Sequence, residues 1–197
     1  MQKPTRAWPR ALALAAALLL LQAGGDGVRA ALRFSRPALE QGEWWRLFSG
    51  HFVHLGWTHT ALNMLGVLLC CALAPRLFNR RIWLKTAALA VGVGTLLWCS
   101  SPGVSSYVGL SGVLYGLFVL GLLPQAWRKD GVAALALLAT IAWMAWQWAT
   151  GPSAAEENLI GGRIIGVAHV YGFGLGMAGV VLGLAWMRAG QKTSRQL

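Results

Sequence analysis

The sequence predicts an all-α polytopic membrane protein with six transmembrane helices, on the strength of three observations. First, hydrophobic residues make up 56% of the 197 residues and charged residues only 12%, whereas a soluble domain carries about 25% charged residues. Second, the apolar residues are grouped in six separate runs. Third, the basic residues concentrate on one of the two sides that these runs define. We therefore treat residues 1–197 as a single membrane domain.

The first apolar run, residues 11–23, follows the basic residues Lys3, Arg6 and Arg10. A basic head followed by a short apolar core is also typical of a cleaved signal peptide. We favour an uncleaved first transmembrane helix, because an even number of helices fits the charge distribution. The next segment, residues 26–54, mixes arginines and glutamates with aromatic residues and is too polar to span a membrane. We expect it to lie in the membrane interface on the outer side.

The remaining runs complete the predicted bundle, and most of the tryptophans lie near run ends, as in the aromatic belt of membrane proteins. These runs are residues 55–73, 82–99, 109–123, 132–148 and 164–187. The run at 109–123 is short, because its 15 residues extend roughly 22 Å as a helix against a hydrocarbon core of about 30 Å. The preceding loop, residues 101–107, must therefore enter the membrane, where irregular backbone needs shielding by protein or a wet cavity.

The charge distribution predicts which side of the membrane each loop faces. With the N-terminus in the cytoplasm, the inner segments hold most of the 17 basic residues and one acid, Asp130, whereas the outer segments hold equal numbers of acids and bases. The net charge of +11 then follows from the positive-inside rule and indicates a lipid bilayer rather than nucleic acid as partner. Both termini, including a tail at residues 188–197, are predicted to be cytoplasmic. The run at 109–123 enters from the outer face.

Ser111 is the candidate nucleophile, because it stands between glycines at the head of the short run, where a wet cavity is expected. His169 is the candidate base. The small residues that share its helical face are Gly172, Gly176, Gly179 and Gly183. Such a stripe lets another helix approach closely, and the serine run has its own small face at Gly112 and Gly116. If the two faces meet, His169 approaches Ser111; the alternative is an interfacial histidine beside a packing motif.

His59 and Asn63 lie four residues apart on one face of an early apolar run. Buried polar side chains need hydrogen-bond partners, so this pair either links helices or donates hydrogen bonds to an oxyanion. The acidic residues are few, and none lies within an apolar run. This argues against an intramembrane aspartate pair, and no His-Glu-x-x-His motif or cysteine spacing indicates a metal. We expect no cofactor and a Ser–His dyad, unless Glu156 or Glu157 completes a triad.

These motifs resemble the rhomboid family of intramembrane serine proteases. The resemblance rests on Trp45-Arg46, on His54 with His59 and Asn63, on Gly109-Leu110-Ser111-Gly112 and on Ala168-His169. It implies a rhomboid-like bundle in which Ser111 is the nucleophile and His169 is the base. It also implies that His59, Asn63 and the backbone N–H of Ser111 bind the oxyanion. The substrate pocket that it implies is formed by Gly109, Tyr115, His54 and Phe173. For Tyr115, a role as a bulky core residue is the alternative.

The small size of the chain, with Trp57 and Tyr171 near the motifs, is most similar to the rhombosortase branch of that family. This similarity implies an endopeptidase in the bacterial inner (cytoplasmic) membrane, with its active site open to the periplasm. Its partners would be membrane-anchored proteins with a C-terminal Gly-Gly motif, a hydrophobic helix and a basic tail. The alternative is a catalytically silent chaperone that binds membrane proteins in the same groove. A transporter ranks third, because no acidic residue lies in an apolar run.

Overall fold

A computed structural model describes residues 7–193, with side chains for residues 7–187 and 189. Its α-helices are, in chain order, α1 (Trp8–Ala23), α2 (Gly25–Leu32), α3 (Arg36–Glu40), α4 (Arg46–Ser49), α5 (Trp57–Leu73), α6 (Ile82–Ser100), α7 (Ser111–Ala126), α8 (Gly131–Thr150), α9 (Ala154–Ile160) and α10 (Gly166–Thr193). Two short strands, β1 (Phe34–Ser35) and β2 (Ser106–Tyr107), and a 3₁₀ turn at Pro75–Leu77 complete the described elements. The all-α prediction is confirmed at the level of a helical bundle.

Three helices of the described chain are long and apolar enough to cross a membrane: α6, α8 and the Gly166–Met187 part of α10. The pair α1 and α2 meets the same criterion together, although the two helices are bent by 110° relative to each other. The other two apolar helices, α5 and α7, are shorter than a full span. These lengths and compositions are those of a multi-pass membrane protein.

The first and last helices, α1 and α10, extend beyond the predicted apolar runs. Helix α1 begins at Trp8 and contains the whole predicted run at residues 11–23. Helix α10 continues past residue 187 through Thr193, so the predicted tail at 188–197 begins as helix. Residues 1–6, with the predicted cytoplasmic charges Lys3 and Arg6, and residues 194–197 lie outside the described residues.

Helix α7, which carries the serine at its first position, lies at the centre of the bundle. Its side chains Val113, Leu117, Val119 and Leu122 are fully buried, because α5, α6, α8 and α10 all pack against it. Helix α8 differs, since only 11% of its span is buried. Most of its large side chains, such as Leu135, Leu138, Trp146 and Trp148, are exposed where lipid would cover them, whereas Leu137 is buried. A short helix surrounded by protein does not need to match the bilayer thickness, since its ends contact protein rather than lipid.

The interfacial segment, residues 26–54, contains α2, α3 and α4 and is tied to the loop before the serine. The two segments are joined by a two-stranded sheet, in which β1 and β2 run antiparallel with Phe34 opposite Tyr107. Backbone groups of the loop thereby gain partners, which irregular backbone at membrane depth requires. This strand pair could not be predicted from the sequence, because two residues are too few to show the alternation of a strand.

Arg36 holds the C-terminal end of α6 against the interfacial segment. Its guanidinium donates hydrogen bonds of 2.9 to 3.3 Å to the carbonyl oxygens of Leu97, Trp98, Ser101 and Val104. The guanidinium carbon also lies 4.7 Å from the centre of the Trp98 ring. The last carbonyl groups of a helix have no partner within the helix, and the helix dipole favours a cation there. Arg36 therefore caps α6 through its side chain.

Replacement of Arg36 by methionine is expected to lower the free energy of unfolding by roughly 2–4 kcal/mol, because several partly buried carbonyl groups lose a charged donor. The midpoint of thermal unfolding in one detergent measures this effect. Arg33→Met is the matched control, since the Arg33 side chain is exposed and its loss should change stability by about 0.5 kcal/mol or less. An equal loss in both variants would contradict the role of the Arg36 hydrogen bonds.

Candidate active site

Ser111 and His169, the two residues singled out as nucleophile and base, are in contact. Ser111 is the first residue of α7, and His169 lies in the first turn of α10. The Ser111 hydroxyl oxygen lies 2.9 Å from Nε2 of His169. A hydroxyl within hydrogen-bond reach of an imidazole nitrogen can pass its proton to that nitrogen as it attacks.

The contact between Ser111 and His169 depends on two glycine faces that pack against each other. A Cβ added at Gly112 would lie 2.8 Å from the carbonyl oxygen of Ala168, and one at Gly176 would lie 2.6 Å from that of Gly116. A Cβ at Gly172 would overlap the carbonyl oxygen of Gly112. Helices α7 and α10 therefore approach backbone to backbone, at a distance that no other residue type allows at these positions.

The imidazole of His169 is held by stacking rather than by an acid. Its ring lies parallel to that of Tyr115, with centroids 4.6 Å apart and planes inclined by 18°. Its Nδ1 is buried and has no hydrogen-bond partner among the described residues. Glu156 closes the capping box of α9, and the Glu157 carboxylate accepts the N–H of Ile164. In the described part of the chain the serine–histidine pair thus lacks an acidic third member, and no group of His, Cys, Asp and Glu there is placed to hold a metal ion.

His59 and Asn63 lie in the wall of the cavity that contains Ser111. Nδ1 of His59 accepts the backbone N–H of Leu55 at 3.4 Å, so the hydrogen of the neutral ring is assigned to Nε2. Nδ2 of Asn63 donates to the His59 carbonyl oxygen at 2.9 Å, which uses one of its two N–H groups. Each side chain therefore retains one donor that these contacts do not use. The backbone N–H of Ser111, at the first position of a helix, has no partner within that helix.

The loop before Ser111 has a backbone conformation that requires glycine at position 109. Gly109 has φ +116°, and a Cβ there would lie 2.7 Å from the His59 ring. The Tyr107 hydroxyl donates to the Gly109 carbonyl oxygen at 2.7 Å, and the Gly109 N–H donates to the carbonyl oxygen of Gly50. Burial raises the pKa of Tyr107 to about 12, so its hydroxyl keeps the proton that it donates.

Tyr107, whose hydroxyl supports the loop before Ser111, was not among the predicted site residues. A signal for it was available in the sequence. Tyr107 ends a loop that was predicted to enter the membrane, and a buried tyrosine hydroxyl normally needs a hydrogen-bond partner. The partner itself, a carbonyl group two residues away, could not be identified without the fold of the loop.

A cavity of about 790 Å³ contains the serine and the histidine and continues between α5 and α8. Leu62, Leu69 and Leu73 line it from α5, and Ala136, Thr140 and Trp143 line it from α8. At the serine end the lining includes the loop that carries β2, the tip of α9 at Ile160, and the arginines 29, 33 and 163. The cavity is therefore polar at one end and apolar along the two helices, as a site for a partly membrane-embedded polypeptide would be.

Of the four residues predicted to form a substrate pocket, Tyr115 lines this cavity, whereas His54, Gly109 and Phe173 do not belong to its lining. The His54 ring packs edge-on against that of His59, with centroids 5.0 Å apart. Burial, and to a lesser extent the neighbouring His59, lowers the pKa of His54 to about 3, which keeps its ring neutral. Gly109 lies against the same His59 ring, and Phe173 packs on the hydrophobic core. His54 and Gly109 therefore lie against a wall residue, His59, whereas Phe173 belongs to the core.

Comparison with known proteins gives a consistent family match. The sequence profile of the Rhomboid domain matches residues 41–186, which include Ser111 and His169. "Putative rhomboid protease YdcA" of Bacillus subtilis (strain 168) is 29% identical over 90 residues, which are 45% of this chain and 45% of that protein. "Rhomboid-like protein 11, chloroplastic" of Arabidopsis thaliana is 28% identical over 90 residues, 44% of this chain and 32% of that protein. The similarity thus spans less than half of either relative.

Proposed function

Because the chain belongs to the rhomboid family, we propose that it is an intramembrane serine endopeptidase that cleaves membrane-anchored proteins. The observation that carries the proposal is the 2.9 Å contact between the Ser111 hydroxyl and Nε2 of His169, at a cavity inside a helical membrane bundle. A chaperone that only bound membrane proteins in this cavity would need neither the hydroxyl nor the imidazole.

The proposed topology has six transmembrane helices: α1, α5, α6, α7, α8 and α10. The short helices α5 and α7 are counted as spans because both are apolar and pack against other helices of the bundle. The positive-inside rule supports cytoplasmic termini and an outer position for the interfacial segment. The cavity that contains Ser111 then opens towards the periplasm in a bacterial inner membrane. The substrate is cut near the outer end of its membrane anchor.

In the proposed reaction Ser111 Oγ attacks the carbonyl carbon of the scissile peptide bond, and its proton passes to Nε2 of His169. The resulting tetrahedral intermediate carries a negative oxygen. His169 then returns the proton to the leaving nitrogen, the C–N bond breaks, and an acyl ester remains on Ser111. A water molecule then attacks the ester carbon and gives its proton to His169. His169 returns this proton to Ser111 Oγ as the ester C–O bond breaks, which releases the second product as a carboxylic acid and restores the serine hydroxyl.

The proposed donors to this negative oxygen are the backbone N–H of Ser111, Nε2–H of His59 and the unused N–H of Asn63, and all three residues line the large cavity. Fixed donors in a water-poor site stabilise a developing charge without having to reorganise, which makes this kind of contact a large contributor to catalysis. The close packing of Gly109 on the His59 ring holds one of these donors in place.

Asn63→Ala is expected to lower kcat by about 10²–10³ if the amide is an independent donor, and by less if His59 compensates. The Michaelis constant should change little, because the interaction forms in the transition state. Steady-state cleavage of a reporter and thermal unfolding, measured on the same preparation, separate the two roles that the sequence left open. Unchanged kcat with lowered thermal stability would show that Asn63 only links helices.

The proposal is tested with the purified protein in liposomes, together with a single-span reporter and a fluorescent fluorophosphonate. We expect cleavage of the reporter and covalent labelling on Ser111, both absent in Ser111→Ala. Binding of the reporter without cleavage or labelling would contradict a protease and favour the chaperone alternative.

Membership of the rhombosortase branch predicts a preference for substrates with a Gly-Gly motif, a hydrophobic helix and a basic tail. Two reporters with the same hydrophobic helix are compared, one of which carries a Gly-Gly motif before the helix and a basic tail after it. A rhombosortase should cleave the tailed reporter with the higher kcat/KM. Equal cleavage of both reporters would retain the rhomboid protease and reject the branch.

A further inference from the structure

A second, much smaller cavity lies against His169 and is bounded by α8. Its volume is about 30 Å³, and Gln147 of α8, His169 of α10 and the apolar Met144 are in its wall. His169 therefore separates two spaces: the large cavity that contains Ser111, and this small one. Gln147 belongs to the lining of the small cavity and not to that of the large one.

The two polar side chains of the small cavity each present a buried atom that has no hydrogen-bond partner among the described residues. These atoms are Nδ1 of His169 and Oε1 of Gln147. His169 is 8% exposed. To accept the Ser111 proton, Nε2 of the neutral imidazole must be free of hydrogen, so Nδ1 must carry it. Two residues that line the cavity thus have an unused buried group, a donor on His169 and an acceptor on Gln147.

We propose that Gln147 is a positioning residue for His169, and that its amide oxygen accepts the Nδ1–H of His169 through one water molecule bound in the small cavity. A volume of about 10–15 Å³ is enough for one water, provided that polar groups are within reach. The volume of about 30 Å³ meets the first condition, and the second is supported because the two residues with unpartnered atoms, His169 and Gln147, both line the cavity. The inference rests on the proposed protease function.

This arrangement would do, without a charge, what an acid does in a Ser-His-Asp triad. It would fix the tautomer with hydrogen on Nδ1, hold the ring plane, and stabilise the imidazolium that forms when Ser111 loses its proton. The Ser111 proton moves to Nε2, and the Nδ1 proton stays in place. A neutral amide is the less costly partner in a membrane protein, because a buried carboxylate would itself need a countercharge.

Gln147→Met tests the proposal, because methionine is similar in length to glutamine but cannot accept this hydrogen bond. We expect kcat to fall roughly ten- to a hundredfold, with KM unchanged, because residue 147 does not line the substrate cavity. Gln147→Glu retains an acceptor oxygen and should recover most of kcat. Met144→Leu alters the same small cavity without removing a polar group, and should keep wild-type kcat. Each rate is divided by the amount of protein that a fluorophosphonate labels to completion, so that unfolded material does not count.

Wild-type kcat in Gln147→Met would overturn the proposal. So would an equal loss in Gln147→Met, Gln147→Glu and Met144→Leu, because that pattern indicates packing rather than hydrogen bonding. Ser111→Ala is assayed beside them. If that variant keeps its activity, the proposed function itself fails, which is a different result from the failure of Gln147 alone.

Discussion

Replacement of Ser111 or His169 by alanine is expected to reduce kcat for cleavage of a membrane-anchored reporter by about 10³-fold or more. Ser111→Ala removes the atom that would form the acyl ester, and His169→Ala removes the proton acceptor 2.9 Å away from it. Both side chains lie at the start of a helix, and the backbone contacts at Gly112, Gly172 and Gly176 that bring α7 and α10 together remain in either variant. Expression, membrane insertion and the midpoint of thermal unfolding should therefore stay close to wild type.

The double variant should be no less active than either single variant, because the two residues act as one unit and the second loss removes nothing further. Ser106→Ala is the matched control, since Ser106 also lines the large cavity but lies in β2. It should keep wild-type kcat. Residual activity within about tenfold of wild type in Ser111→Ala or His169→Ala would reject the assignment of that residue.

The parts of this site that could be predicted from sequence are those with a short-range signal. A serine between glycines, followed by an apolar run too short to span a membrane, indicates a loop at membrane depth. A histidine on the same helical face as several glycines indicates a packed rather than a lipid-facing position. Neither pattern alone places the two side chains together. The structure brings Ser111 and His169 into contact, and their catalytic role is the prediction that the alanine variants test.

The parts that could not be predicted depend on contacts between distant segments. From the sequence, Arg36 is expected to lie in the membrane interface and to contact lipid phosphate. In the structure its guanidinium instead caps α6, at carbonyl groups more than 60 positions later in the sequence. From the sequence, Gln147 is a polar residue at the end of a span, yet its amide oxygen is buried and the residue lines the same small cavity as His169. In each case the residue type fits the membrane interface equally well, so composition cannot distinguish a lipid-facing role from a protein-facing one.

The glycine stripe of α10 shows the same limit in one helix. Gly172 and Gly176 are buried against the backbone of α7, as the shared face predicts, whereas a side chain at Gly183 would meet open space. Helical periodicity gives the direction of a residue around the helix axis. Periodicity does not show at which residue along the axis the packing against the neighbouring helix stops.

Gly176→Leu is expected to destabilise the protein by roughly 3 kcal/mol or more and to lower kcat by about 10²-fold. A side chain at 176 would start 2.6 Å from the carbonyl oxygen of Gly116, and backbone atoms cannot move aside as a side chain can. The variant can fold only if α10 moves away from α7. A shift of about 1 Å in the relative position of His169 and Ser111 is enough to cost two orders of magnitude in rate.

Gly174→Leu is the control for this prediction, because position 174 is exposed on the same helix and a Cβ there has no neighbour within 4 Å. Leucine at 174 would face lipid, where it is well accommodated, and it would favour the helix relative to glycine. Thermal unfolding and the rate of fluorophosphonate labelling should therefore both fall for Gly176→Leu and stay near wild type for Gly174→Leu. If both positions tolerate leucine equally, close packing of α7 and α10 is not what sets the distance between His169 and Ser111.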